Sequence, residues 1–198
     1  MLVSATKLIG YPVLSLHVGG AIAWAGEQIV DPETLKIVAM RAEGPLVKND
    51  PEAGEWLETR DVREFSELGM VVDGMDVFVN AEDVIKLEKL LSLQFYLIGL
   101  KVETKKKSKL GKVIDYTVDT NDFSVRQLIV KRPVMKSLVD PELVIPRKEI
   151  IEVNDYKIIV KDEEEKIKKT LAKEEFIPNF VNPFREPDFS VNRFGKEK

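Results

Sequence analysis

The pattern of hydrophobic and polar positions predicts a chain of short strands. A half-apolar stretch over 22–30 is followed by the turn Asp31-Pro32-Glu33-Thr34 and then by alternation over Leu35–Ala42. Aspartate can accept hydrogen bonds from its own backbone and proline presets φ at the second turn position, so these two strands form a hairpin. A second hairpin is predicted from the same pattern in strand 110–118, turn Asp119-Thr120-Asn121-Asp122 and strand 123–130.

The two hairpins belong to an internal repeat. Leu8-Ile9-Gly10 reappears 89 residues later as Leu97-Ile98-Gly99, while Val30-Asp31 reappears 88 residues later as Val118-Asp119. A change in loop length is well tolerated between repeats and accounts for the one-residue difference. Other predicted strands are 12–16, 56–58, 62–65 and 70–72 in the first copy, and 144–146, 150–153 and 157–160 in the second.

Each copy is followed by a helical pattern. Asn80 is placed to cap a helix over 81–91, and Asp162 is placed to cap a second, mostly solvated helix that ends at Glu175. The predicted fold class is mainly β, with two tandem small barrels, each followed by a short helix, and an extended C-terminal tail. The predicted organisation is a first barrel domain over 1–80, a linker helix over 81–92, a second barrel domain over 93–161, a helix over 162–175 and a Phe/Pro-rich tail over 176–198.

The repeated segments resemble the PRC-barrel domain family. The first copy carries the resemblance in 8–13, 30–32 and 59–64, and the second in 97–102, 110–113, 118–119 and 145–150. The family includes the cytoplasmic domain of the photosynthetic reaction centre H subunit and the C-terminal domain of a bacterial ribosome maturation factor. The resemblance implies protein–protein binding and assembly, and it implies no shared catalytic residues.

Composition narrows the function classes. The 198 residues include no cysteine and one histidine, which excludes disulfides, thiolate sites and histidine-paired metal sites. No signal-peptide layout is present, and the longest apolar-leaning run, 90–100, is much shorter than the roughly 20 residues of a membrane helix, so we expect a cytoplasmic protein. Because no acid–base pair or nucleophile cluster stands out, we expect neither an enzyme nor a cofactor.

Charge is distributed unevenly along the chain. Residues 1–92 carry a net charge of −8, residues 93–161 carry +5, and residues 162–198 carry −1. A basic hairpin tip in the second copy, made of Lys105, Lys106, Lys107 and Lys109, replaces the segment 16–19 of the first copy. This tip is either a contact for an acidic protein, RNA or anionic lipid headgroups, or a solvated loop that complements the acidic first copy.

The C-terminal segment is the second candidate for a partner contact. Five of the nine phenylalanines lie there among three prolines, which exclude a continuous helix. Burial of one such ring stabilises by about 1.5–3 kcal/mol, so the segment either packs across its own barrels as a strap or anchors a partner, with disorder as the third alternative. Together with the four lysines, the predicted partner-binding residues are Phe180, Phe184, Phe189 and Phe194.

Three other features favour structural roles. His17 is most simply a surface histidine, Gly19-Gly20 lacks the spacing of a phosphate loop, and Asp31 and Asp119 each fit a turn better than a shared carboxylate site. The leading hypothesis is a non-enzymatic protein-binding adaptor that uses the barrel faces, the basic tip and the tail. The alternative is a ribosome- or RNA-associated assembly or maturation factor that uses the basic second domain.

Overall fold

Strands account for about half of the residues that the structure describes. The computed structural model describes residues 1–49, 54–133 and 141–162, and fourteen strands in these ranges form one hydrogen-bonded sheet. The described α-helices are α1 (Ala5–Leu8), α2 (Pro45–Asn49) and α3 (Ile85–Ser92), and 3₁₀ turns lie at Thr59–Asp61, Met75–Val77, Ala81–Asp83 and Arg147–Glu149. In chain order the strands are β1 (Leu2–Ser4), β2 (Pro12–Ser15), β3 (Gly20–Asp31), β4 (Lys36–Glu43), β5 (Trp56–Glu58), β6 (Glu64–Ser66), β7 (Gly69–Val72), β8 (Phe78–Val79), β9 (Lys101–Thr104), β10 (Lys109–Asp119), β11 (Ser124–Lys131), β12 (Glu142–Pro146), β13 (Ile150–Val153) and β14 (Lys157–Val160).

The two copies of the sequence repeat have the same strand topology. The first copy has the order β5-β4-β3-β2-β7-β6, and the second has β12-β11-β10-β9-β14-β13. The pairs β2–β7 and β9–β14 are parallel, and the other pairs within each copy are antiparallel. Register repeats as well, because Met40 lies opposite Leu57 as Leu128 lies opposite Ile145. The mainly β fold class is therefore confirmed.

The hairpin tips explain why the repeat displacement changes. Ser15 pairs with Gly20 in the first copy, whereas the Thr104 N–H donates to the Ser108 carbonyl at 2.9 Å in the second. The second tip is therefore one residue shorter. Equivalent residues of the two copies lie 89 positions apart before the tip and 88 positions apart after it. As predicted, the lysine-rich tip takes the place of the segment 16–19.

Aspartate stabilises the turn of both long hairpins, as the sequence predicts. Asp31 Oδ1 accepts hydrogen bonds from the N–H groups of Glu33 and Thr34, at 2.9 and 3.3 Å. Asp119 Oδ1 accepts one from the Asn121 N–H at 3.1 Å. Each turn then ends on a non-glycine residue in the left-handed region, Leu35 at φ 49° and Phe123 at φ 53°.

The two copies meet through reciprocal hydrogen bonds between their turn ends. The Ile37 N–H donates to the Phe123 carbonyl at 2.9 Å, and the Val125 N–H donates to the Leu35 carbonyl at 2.8 Å. Because Leu35 is equivalent to Phe123 and Ile37 to Val125, this is the reciprocity of a two-fold, isologous contact. Arg147, in the second copy, reinforces the contact by donating to the carbonyls of Thr34 and Leu35.

Apolar side chains from both copies form one hydrophobic core. Fully buried positions recur at equivalent places, such as Val13 and Val102, or Met70 and Ile158. A smaller cluster lies under α3, where Leu87 packs with partly buried Val84, Leu90 and Leu91. These side chains cover the buried side chains Ile29, Ala39 and Trp56 of the first copy.

Several sequence expectations need correction. The sheet is not closed: its main path ends at β6 and β13, so the two-barrel arrangement is not confirmed. The helix expected over 81–91 is divided, because Val84 is extended between a 3₁₀ turn at Ala81–Asp83 and α3, and Asn80 makes no capping bond. Helix α2, which was not predicted, has Pro45 at its first position, where a missing N–H is tolerated.

Two further points concern the ends of the chain. Strand β1 was not predicted; it pairs antiparallel with β10, so the N-terminus contributes to the second copy. The helix predicted over 162–175 and the tail over 176–198 lie outside the described residues, apart from Asp162 itself. The predicted domain boundaries stay a prediction.

Candidate functional site

The predicted basic tip is an exposed, hydrogen-bonded turn. The side chains of Lys105, Lys106, Lys107 and Lys109 are exposed. The Lys107 N–H donates to the Thr104 carbonyl at 2.8 Å, and the Lys105 N–H donates to the Val160 carbonyl at 3.0 Å, which ties the tip to β14. The backbone of the tip is therefore fixed, and it carries four exposed lysines. Phe180, Phe184, Phe189 and Phe194 lie outside the described residues, so their roles stay predictions.

The weaker candidates occupy structural positions. His17 is exposed in the first tip, where its N–H donates to the Asp73 carbonyl at 3.0 Å. Asp31 and Asp119 lie in separate turns rather than in one site. Burial alone would raise the pKa of Asp31, but Lys86 and the turn N–H groups outweigh it and lower that pKa. Within the described ranges, no cluster of three or more His, Cys, Asp or Glu side chains could hold a metal ion.

A cavity of about 840 Å³ with both polar and apolar lining residues lies beside the junction of the two copies. Four cationic side chains line it, and each forms an ion pair with a carboxylate: Lys36 with Asp122, Arg60 with Glu58, Arg63 with Asp73, and Lys86 with Asp31. Its positive charges are therefore compensated within the fold, and we do not assign it a ligand.

The repeated Leu-Ile-Gly motif builds a more informative site. In each copy the leucine is buried, the isoleucine projects outward and the glycine is left-handed, with φ 78° at Gly10 and 92° at Gly99. The glycine N–H groups donate to Ala25 and Val113 carbonyls at 2.6 and 2.8 Å, which fixes both turns against the sheet. Left-handed φ favours glycine, and the result is that Ile9 is 59% exposed and Ile98 46% exposed.

Both isoleucines line the same groove, whose volume is about 340 Å³. Such a size is at the lower end of the range for ligand pockets. Tyr96, which is 61% exposed, and half-buried Phe95 form an aromatic wall beside Ile98. The remaining lining residues are Ala5, Thr6, Glu27, Gln28, Val30, Leu97 and Tyr116.

The groove contains a hydrogen bond between equivalent residues of the two copies. The Tyr116 hydroxyl donates to Gln28 Oε1 at 2.8 Å, and Gln28 Nε2 donates to the Ala5 carbonyl at 2.7 Å. Gln28 and Tyr116 are 88 residues apart and therefore occupy equivalent positions in the two copies. Their hydrogen bond thus follows the same two-fold relation as the contact between the turn ends. Burial, with a smaller contribution from the negative charge of Asp115, raises the pKa of Tyr116. The hydroxyl is therefore a donor throughout the physiological range.

The two copies differ in the hydrogen bonding of equivalent carboxylates at the groove. Asp115 accepts hydrogen bonds from the hydroxyls of Ser4 and Thr6. Its equivalent in the first copy is Glu27, and the positions that correspond to Ser4 and Thr6 are Leu93 and Phe95. Within the described part of the chain, the Glu27 side chain makes no hydrogen bond or ion pair. The groove thus has an exposed carboxylate on a mostly apolar lining.

Sequence reasoning identified the Leu-Ile-Gly repeat but not the groove. The repeat was a signal of equivalent turns, whereas the approach of Ile9 to Ile98 depends on how the two copies pack. An apolar groove with a fixed polar pair suits binding of an apolar side chain.

The chain matches no known family model and no curated protein. The family resemblance seen in the sequence therefore stays a hypothesis. Within the described residues, no helix has both the length and the apolar character needed to cross a membrane.

Proposed function

We propose that the chain is a cytoplasmic, non-enzymatic protein-binding adaptor built from two PRC-type barrel domains. The observation that carries the proposal is the groove in which Ile9 and Ile98, two equivalent and exposed isoleucines, line one apolar surface with Tyr96. Exposed apolar surface of this kind is typical of sites where a soluble protein meets a partner. The repeated strand topology supports the two-domain, PRC-type part of the proposal.

Aromatic and aliphatic groups at the centre of an interface provide most of its binding energy. Tyr96 and Phe95 offer a large apolar area with few rotatable bonds, so little side-chain entropy is lost when a partner binds. Ile9 and Ile98 are held on turns that backbone hydrogen bonds fix to the sheet. The groove can therefore receive an apolar side chain of a partner without rearrangement of its floor.

Site-specific photocrosslinking tests the proposal with a matched control. A photoreactive phenylalanine analogue replaces either Tyr96, in the groove, or Tyr156, which is exposed outside it. On irradiation in native lysate we expect position 96 to give one or a few defined protein adducts and position 156 to give none of them. The same adducts from both positions, or none from position 96, would refute the groove as the binding surface.

The basic tip supports a second candidate function, an RNA- or ribosome-associated factor. Its four exposed lysines suit phosphate contacts, and such contacts release counterions, so binding would fall steeply with salt. In an anisotropy titration, this candidate predicts that the wild-type protein binds labelled single-stranded RNA. Replacement of Lys105, Lys106 and Lys107 by Gln should abolish this binding. Salt-independent or undetectable RNA binding would exclude it.

A further inference from the structure

We propose that the groove recognises a segment in which a basic residue lies close to an apolar one, with the apolar side chain between Ile9 and Ile98 and the cationic head at Glu27. This inference rests on the proposed adaptor function and deepens it, because it names the chemistry of the partner. It follows from comparison of the two copies around the groove.

The second copy shows how a carboxylate at this position is satisfied. Asp115 is bound by Ser4 and Thr6, with the Thr6 hydroxyl at 3.0 Å from Oδ2 and the Thr6 N–H at 3.3 Å from Oδ1. In the first copy the corresponding neighbours of Glu27 are Leu93 and Phe95, which have no side-chain donor. The carboxylate of Glu27 is therefore left for an external donor.

The surroundings of Glu27 favour a cation as that donor. Phe95 and Tyr96 line the same groove, and the faces of aromatic rings attract lysine and arginine side chains. Among the lining residues Glu27 is the single charged side chain, so no positive charge in the groove repels a cationic partner. The net charge of −8 over residues 1–92 acts in the same direction at longer range.

The apolar part of the groove fixes where the neighbouring side chain lies. Long cationic side chains pack their methylene stems on apolar surface while the charged head stays accessible. A lysine or arginine bound at Glu27 would therefore place an adjacent aliphatic or aromatic residue over Ile9 and Ile98. Recognition would combine one apolar anchor with one charge, which is more selective than the apolar groove alone.

Peptide selection on the full chain tests this inference. Random peptides displayed on phage are selected on the wild-type protein and counter-selected on the double variant Ile9→Asp, Ile98→Asp, whose folding is checked by thermal unfolding. We expect the retained peptides to be enriched in Lys or Arg within one helical turn of an aliphatic or aromatic residue. The labelled consensus peptide is then titrated by fluorescence anisotropy.

Three single variants give the decisive comparison. Glu27→Gln should weaken binding of the consensus peptide by roughly 2- to 5-fold, from loss of an exposed ion pair. Glu27→Lys should weaken it further and select acidic peptides instead, whereas Glu33→Gln, an exposed carboxylate in the first turn, should leave affinity unchanged. Groove-dependent peptides without basic enrichment, or equal binding to Glu27→Gln, would overturn this inference and leave the adaptor proposal standing. If no selected peptide depends on Ile9 and Ile98, both proposals fail.

Discussion

Removal of the Tyr116 hydroxyl tests the contact between the two copies. In the variant Tyr116→Phe, Gln28 Oε1 loses its donor at 2.8 Å, while Gln28 Nε2 keeps its bond to the Ala5 carbonyl. Tyr116 is 3% exposed, so the phenylalanine ring fills the same buried space and only the hydrogen bond changes. An ordinary hydrogen bond contributes about 0.5–1.5 kcal/mol net, and a buried acceptor left without a partner costs about 1–3 kcal/mol.

Because Gln28 is half-buried, water can reach it in part, and we expect destabilisation near the lower of these ranges, about 1–1.5 kcal/mol. For a unit of this size, that corresponds to a fall in Tm of roughly 2–6 °C. Urea unfolding followed by tryptophan fluorescence measures the change. Tyr11→Phe is the matched control, since Tyr11 donates to the Ser66 carbonyl within the first copy.

A double-mutant cycle with Gln28→Leu assigns the effect to the pair. We expect a coupling energy of about 0.5–1.5 kcal/mol between positions 28 and 116, because residues in direct contact do not behave additively. For positions 11 and 28, which share no hydrogen bond, additivity should hold. A coupling energy near zero between 28 and 116 would refute the hydrogen bond between the copies and with it the description of the groove.

Three further predictions concern stability. The pKa of Tyr116 is raised above its usual 10.0, so the unfolded chain loses the hydroxyl proton at lower pH than the folded protein does. The free energy of unfolding should therefore fall as pH rises above 10, by up to about 1.4 kcal/mol per pH unit. In a pH series of urea unfolding, the variant Tyr116→Phe should lose this dependence. Gly111→Ala should cost about 2–4 kcal/mol in urea unfolding, because φ is 145° and the new Cβ would clash with the Lys131 carbonyl. In the control Gly20→Ala the new Cβ meets open space, so the cost should be under about 1 kcal/mol. Asp31→Ala should lower the free energy of unfolding by about 1–3 kcal/mol, unlike Glu33→Ala, because Asp31 accepts the hydrogen bonds of the turn. Since the pKa of Asp31 is lowered in the folded state, this difference should shrink as pH falls below the usual aspartate pKa of 3.8 and through the lower folded-state value; a difference that does not change with pH would contradict this reasoning.

Much of the local structure is predictable from the sequence. Alternation and turn chemistry are local properties, so both long hairpins and most of the shorter strands appear near their predicted bounds. The repeat also anticipates the shared topology of the copies. Helix bounds after Asn80 were less accurate, since extended Val84 interrupts the helical spacing that the apolar positions suggest.

The packing of the copies is not predictable in the same way. Periodicity indicates which face of a strand is buried within one copy, but it carries no information about which surfaces of two copies meet. The pairing of β1 with β10 is an example, because Leu2–Ser4 contains no local signal for a partner more than 110 residues away. The groove depends on the same long-range packing, which brings Ile9 to Ile98.

A comparative pull-down tests the adaptor proposal most directly. Tagged wild-type protein, the double variant Ile9→Asp, Ile98→Asp, and the control Leu68→Asp, which changes an exposed leucine outside the groove, are used as baits in native lysate with and without nuclease. The proposal predicts one or a few proteins that resist nuclease, bind the wild type and Leu68→Asp equally, and are lost with the groove variant. Recovery of ribosomal components that nuclease removes, or equal recovery by all three baits, would contradict it.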